Sequence, residues 1–140
     1  MASPEEIKAH GCRRTYSTLR VFTGEQSPDL VTQALGIAPT RVWHKGSGET
    51  VVPRKRNGWF LSTRGELASL DTREHLDWLL GHLHGQHAFV DSIAAAGGEI
   101  DIVSFWHAAG TPEGGPALAP AQMEALAQLN IAVSWNIYTG

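Results

Sequence analysis

From Thr15 to Thr23, Tyr16, Thr18, Arg20 and Phe22 alternate with Ser17, Leu19 and Val21. This period-two pattern, rich in β-branched and aromatic residues, predicts a strand. Gly24 to Ser27 break it, and Ser27-Pro28 marks a helix start: serine accepts a free backbone N–H, and proline in the first turn has none to leave unsatisfied. Leu30, Val31, Ala34 and Leu35 then fall at helical spacing, and Gly36 suits a left-handed stop. Two further strands, Arg41 to Lys45 and Trp59 to Thr63, flank a polar loop from Gly46 to Gly58. Asp71 with Glu74 reads as a capping-box start, after which Leu76, Leu79, Leu80 and Leu83 trace one helix face. Gly85 interrupts that helix, and a second helical segment carries Phe89, Val90 and Ile93 up to the pair Gly97-Gly98. Glu99 to Ala108 holds apolar residues on both faces for part of its length, as a central strand does. Beyond the loop from Gly110 to Leu118, Pro120 opens a helix with Met123, Leu126 and Leu129 inward. Ile131, Val133, Trp135 and Ile137 then alternate in a last strand.

The order β-α-β-β-α-β-α-β predicts an α+β fold. Its first six elements form a ferredoxin-like split β-α-β pattern, extended by a further helix and strand, in a mixed or antiparallel sheet with helices packed on one face. Residues 1–14 are expected to be a flexible N-terminal segment and residues 15–140 one α+β domain. Leu19, Val21, Leu35, Leu79, Leu80, Ile102, Leu126 and Val133 form the expected core.

Several of these segments together carry a likeness: Leu19-Arg20-Val21-Phe22, the run from Leu35-Gly36-Ile37 through Arg41, Lys45-Gly46, Gly58-Trp59, His75-Leu76 with Trp78-Leu79-Leu80, and the closing strand to Tyr138. From about Thr15 to Tyr138 the chain resembles the bacterial domain of unknown function family numbered 4279. The resemblance implies a small cytoplasmic protein of one domain, and it brings no reaction or cofactor with it.

Composition narrows the classes of function. Apolar residues make up 42% of the 140 and charged residues 18%, which is the composition of a folding globular domain. The formal net charge of -3 argues against nucleic acid or an anionic membrane as partner, because no global positive field is present. Cys12 is the only cysteine, so no internal disulfide or multi-cysteine metal site can form, and a reducing cytoplasm fits. With Arg13 and Arg14 beside it, Cys12 is expected to be a plain exposed or half-buried thiol. The segment from Met1 to Gly11 lacks the apolar core of a secretory signal, and no apolar run reaches the roughly 20 residues of a membrane span.

The strongest local signal is basic and aromatic. Arg41, Trp43, His44 and Lys45 lie on one predicted strand, Arg54, Lys55 and Arg56 in the loop, and Trp59 on the next strand. Between Arg41 and Arg56 the local charge is +4, leaving -7 on the remainder. Arginine offers a planar fork and tryptophan a stacking face, so Arg41, Trp43, Lys45, Arg54, Arg56 and Trp59 are the candidate site for an acidic protein surface or an anionic, phosphate-bearing small molecule. The competing reading is an edge hairpin kept soluble by its charges. Gly46-Ser47-Gly48 opens no helix and so lacks the context of a phosphate loop.

His82, His84 and His87, with His75 further back, have a metal-like look. Histidines that share a helical face stand at i and i+4, whereas positions 82 and 84 point to different sides; His84 and His87 remain as the ligands of an alternative, metal-assisted hydrolase. A solvent-facing helix end is the default for all of them. No Gly-x-Ser-x-Gly turn is present. The expectation is therefore a non-enzymatic binding module without cofactor, with self-association through an edge strand as a further alternative.

Overall fold

In the computed structural model, which describes residues 11–46, 54–110 and 114–139, the alternating segment becomes a long strand β1 (Cys12–Phe22). It starts three residues ahead of the Thr15 boundary expected from the sequence. Asp29–Leu35 forms α1, with Ser27 Oγ accepting the Asp29 N–H at 3.2 Å and Gly36 closing the helix at φ 69°. The short β2 (Arg41–Trp43) and β3 (Gly58–Ser62) follow. The interruption expected at Gly85 is present: α2 (Thr72–His82) and α3 (His87–Ala95) are separate helices, and Gly85 between them has a φ of 73° that a continuous helix cannot contain. β4 (Glu99–Ala108), α4 (Pro120–Leu129) and β5 (Ala132–Tyr138) complete the order.

The five strands make one open mixed sheet in the order β2-β3-β1-β4-β5, with every neighbour antiparallel except the parallel pair β4 and β5. β3 lies between β1 and β2, which α1 connects, so the arrangement is an α+β fold compatible with the ferredoxin-like pattern. α4 then carries the chain from β4 to its parallel partner β5, as a crossover must.

Period-two alternation sorts the residues of each strand between the two faces of the sheet. Leu19 and Val21 of β1, Trp59 and Leu61 of β3 and Ile102 of β4 share one cluster with Val31 of α1, Leu76 and Leu79 of α2, Val90 and Ile93 of α3, and Leu126 and Leu129 of α4. The helices therefore cover one face. Each fully buried leucine or valine there contributes roughly 1.5–3 kcal/mol relative to an exposed one. Leu35, Leu80 and Val133, expected in the core, are only partly buried at its margin. Met123 is no inward residue either: it is 49% exposed, because the buried stripe of α4 runs through Gln122, Leu126 and Leu129.

A buried polar seam crosses the same layer. His75 is fully buried: Nε2 lies 2.7 Å from the Ser69 carbonyl oxygen and Nδ1 2.7 Å from Thr63 Oγ1. A carbonyl only accepts, so Nε2 carries a proton and donates it to Ser69, and a ring with that single proton accepts from the Thr63 hydroxyl at Nδ1. Thr63 Oγ1 in turn accepts the Ser17 N–H at 2.9 Å, and Ser17 Oγ lies 2.6 Å from Ser104 Oγ. The solvent-facing role expected for the histidines thus fails at His75, which is a satisfied core residue.

At the other end of the sheet Cys12 packs with Trp106 and Ala108 and is fully buried, which corrects the exposed or half-buried thiol expected from sequence. Burial, and not the neighbouring arginines, sets its acidity, raising the thiol pKa above its ordinary value. Gly97 and Gly98 stand together for different reasons. Gly97 adopts φ 81°, whereas a Cβ on Gly98 would overlap the Phe22 carbonyl oxygen and Ile93.

Candidate binding face

The face of the sheet opposite the helices carries Tyr16, Thr18, Arg20 and Phe22 of β1. Register places Arg20 beside Phe60 and Asp101, Phe22 beside Gly58 and Glu99, and, on the outer strand, Arg41 beside Phe60 and Trp43 beside Gly58. Arg41 and Trp43 consequently share this open face, as alternation predicts. The ring of Trp43 lies 4.7 Å from that of Phe60 and 6.4 Å from that of Phe22, and Phe22 meets Phe60 edge to face at 5.8 Å. Gly58 permits this packing, since a Cβ there would meet the Phe60 ring at 2.7 Å.

Arginines lie on these rings. The Arg54 guanidinium is 4.1 Å from the Trp43 centroid and the Arg56 guanidinium 3.7 Å from that of Phe22, both within the range of a cation–π contact. The loop base fixes them, with the Gly46 N–H donating to the Arg54 carbonyl at 2.8 Å and the Lys45 N–H to Asn57 Oδ1 at 2.7 Å. Ser47 to Pro53, including Glu49 and most of the Gly46-Ser47-Gly48 turn, fall outside the described residues.

The four cations of the candidate site are not equivalent. Lys45 Nζ pairs with Glu25 at 2.8 Å, a contact that holds the Glu25 carboxyl below its ordinary value, and Arg56 reaches Glu99 at 3.4 Å. Arg41 and Arg54 make no ion pair among the described residues. Trp43 adds an indole Nε1–H that is buried and without a hydrogen-bond partner among the described residues. Deeper in the face, Arg20 grips Asp101 with two bonds of 2.7 and 2.6 Å, which raises the arginine's pKa further and leaves that pair internally compensated.

Trp59 does not belong to this group. It alternates to the opposite face, is fully buried, and donates its Nε1–H to Thr32 Oγ1 at 2.9 Å, so it cannot serve as an exposed stacking anchor. Phe22, Phe60 and Arg20 are the members that the sequence reading missed. The signal was present in β1, where the outward set Tyr16, Thr18, Arg20 and Phe22 puts two aromatic rings and an arginine on one face.

The histidines come apart. α2 ends at His82, whose ring meets Trp78 at 4.7 Å; His84 lies in the exposed turn and His87 begins α3. Among the described residues no group of three or more His, Cys, Asp or Glu is placed to hold a metal ion. At the sheet edges, β2 is three residues long and carries Arg41, whereas β5 has seven residues without a charge and exposes Ile137 and Tyr138.

Among the described residues no helix is long and apolar enough to cross a membrane. Comparison with curated proteins and with solved structures finds no match. The family model described as "Domain of unknown function (DUF4279)" matches residues 13–140, and the chain belongs to that family.

Proposed function

We propose that the protein is a non-enzymatic binding module that holds an acidic protein surface against the outer face of β2, β3 and β1. The observation that carries this reading is the Trp43–Phe60–Phe22 cluster lying on the sheet face without helices, with the Arg54 and Arg56 guanidiniums over its rings. Arginine stacked on an aromatic ring keeps its N–H edge for a carboxylate while its apolar faces remain covered, a combination typical of interface anchors. Arg41 and Arg54 are the cations to meet the partner, since Lys45 and Arg56 already have carboxylates of their own.

The double substitution Arg41→Ala, Arg54→Ala is expected to abolish recovery of the partner in a pull-down from a lysate of the source cells. Wild-type recovery should fall as salt rises, because exposed charges are screened over about 8 Å at physiological ionic strength. The unfolding midpoint should hardly move, exposed charges being worth about 0–1 kcal/mol. Equal recovery by both proteins at low salt would remove the hairpin from the binding surface.

A further inference from the structure

At the opposite end of the open face the register of β1 against β4 slips: Cys12 pairs with Ala108 and Arg14 with His107, so Arg13 is the extra residue of a β-bulge. A bulge breaks the alternation and re-aims the side chains around it. Here Cys12 stays buried while Arg13 and Arg14, adjacent in sequence, are both exposed and both line one concavity of about 260 Å³. The turn after β3 supplies a third arginine, Arg64, followed by Gly65 at φ 82°, and Ser69 closes the far side.

The guanidiniums of Arg14 and Arg64 lie 5.6 and 5.2 Å from the centroid of the Tyr16 ring, so one ring holds both. No lining residue is acidic, and none of the three arginines has an ion pair among the described residues. This contrasts with the hairpin end, where Glu25 and Glu99 line the concavity together with Lys45 and Arg56. Ser69 Oγ accepts the Asp71 N–H at 3.0 Å, which leaves its hydroxyl proton free to be donated. Three uncompensated forks gathered around one concavity repel each other unless an anion enters, and a phosphate monoester dianion offers three terminal oxygens as acceptors for them. Beside them Tyr16 stacks on Phe105 at 4.8 Å, and Phe105 meets the exposed Tyr138 at 4.9 Å, forming an aromatic shelf across β1, β4 and β5.

We infer that Arg13, Arg14 and Arg64 form a binding site for a phosphate monoester that carries a planar ring, the phosphate held by the arginines and the ring lying along the Tyr16–Phe105–Tyr138 shelf. Eight residues of extended chain separate Arg14 from Phe22, roughly 26 Å, so this site is distinct from the hairpin end.

Titration of the full chain with phenyl phosphate, at constant ionic strength and followed by heteronuclear NMR, tests it. Saturable shifts are expected at the amides of Arg13, Arg14 and Gly65, with tighter binding than inorganic phosphate. In Arg14→Gln, Arg64→Gln the affinity should drop by about tenfold or more, as expected for charged hydrogen bonds. Arg64→Gln alone, in an exposed turn, serves if the double variant does not fold. Arg41→Ala, Arg54→Ala should leave the titration unchanged, which separates this site from the hairpin reading. Absence of saturable shifts at these amides, or unchanged affinity in the arginine variants, would overturn the site; equal affinity for inorganic phosphate would overturn the part given to the ring.

Discussion

Replacing Leu79 by alanine is expected to lower the unfolding free energy by roughly 2–5 kcal/mol, the cost of lost transfer energy plus the cavity left behind. Leu79 is fully buried on the face of α2 that meets β1, with Leu76 one turn before it. The sequence alone points equally to Leu80, because Leu76, Leu79, Leu80 and Leu83 fit one helical stripe. The structure separates them. Leu80 sits at the stripe's margin and lines a concavity of about 510 Å³ shared with His84 and residues of α4, so truncating it leaves no closed cavity. Urea denaturation of both variants checks the assignment: a clear midpoint loss for Leu79→Ala and about 1 kcal/mol or less for Leu80→Ala. The reverse order would mean that α2 is rotated on the sheet.

A loss of roughly 2–4 kcal/mol is expected for His75→Ala. The substitution opens a cavity in a fully buried position, and it strips the part-buried Ser69 carbonyl of its donor. The Thr63 hydroxyl loses its acceptor Nδ1, although the Ser17 carbonyl oxygen at 3.3 Å offers a weaker substitute. His84→Ala, in the exposed turn, should cost within about 0.5 kcal/mol, as surface substitutions usually do. Thermal or urea unfolding of the two variants distinguishes a core histidine from a surface one. Equal, small losses would contradict the buried seam.

These contrasts show what was legible in the chain before the fold was known. Alternation in β1 and β5, Pro120 at the start of α4 and Gly36 at the end of α1 are local signals, each with its own physical cause, and each marks the element observed. The position of a strand in the sheet is not local. Trp43 and Trp59 look alike in sequence, and only the antiparallel pairing of β2 with β3, which puts Val42 opposite Trp59 and Trp43 opposite Gly58, sends one ring outward and the other into the core. His75 was illegible for a related reason, since its partners Thr63 and Ser69 lie in the connection from β3 and meet it only when α2 packs down. The bulge at Arg13 has no sequence signature at all: a strict alternation would have sent Arg13 and Arg14 to opposite faces.

The central claim is that the outer face of the hairpin end, and not the helical side, receives an acidic partner. Two indole N–H groups report on it separately, because Trp43 Nε1 on the outer face has no partner among the described residues while Trp59 Nε1 is bonded to Thr32 on the inner one. Heteronuclear NMR of these indole groups, during titration at low salt with polyglutamate as an acidic probe, is the most direct measurement. The expected result is a saturable shift of the Trp43 indole signal with the Trp59 signal unmoved, lost in Arg41→Ala, Arg54→Ala. Binding that leaves Trp43 in place, or that persists unchanged in the double variant, would contradict the account.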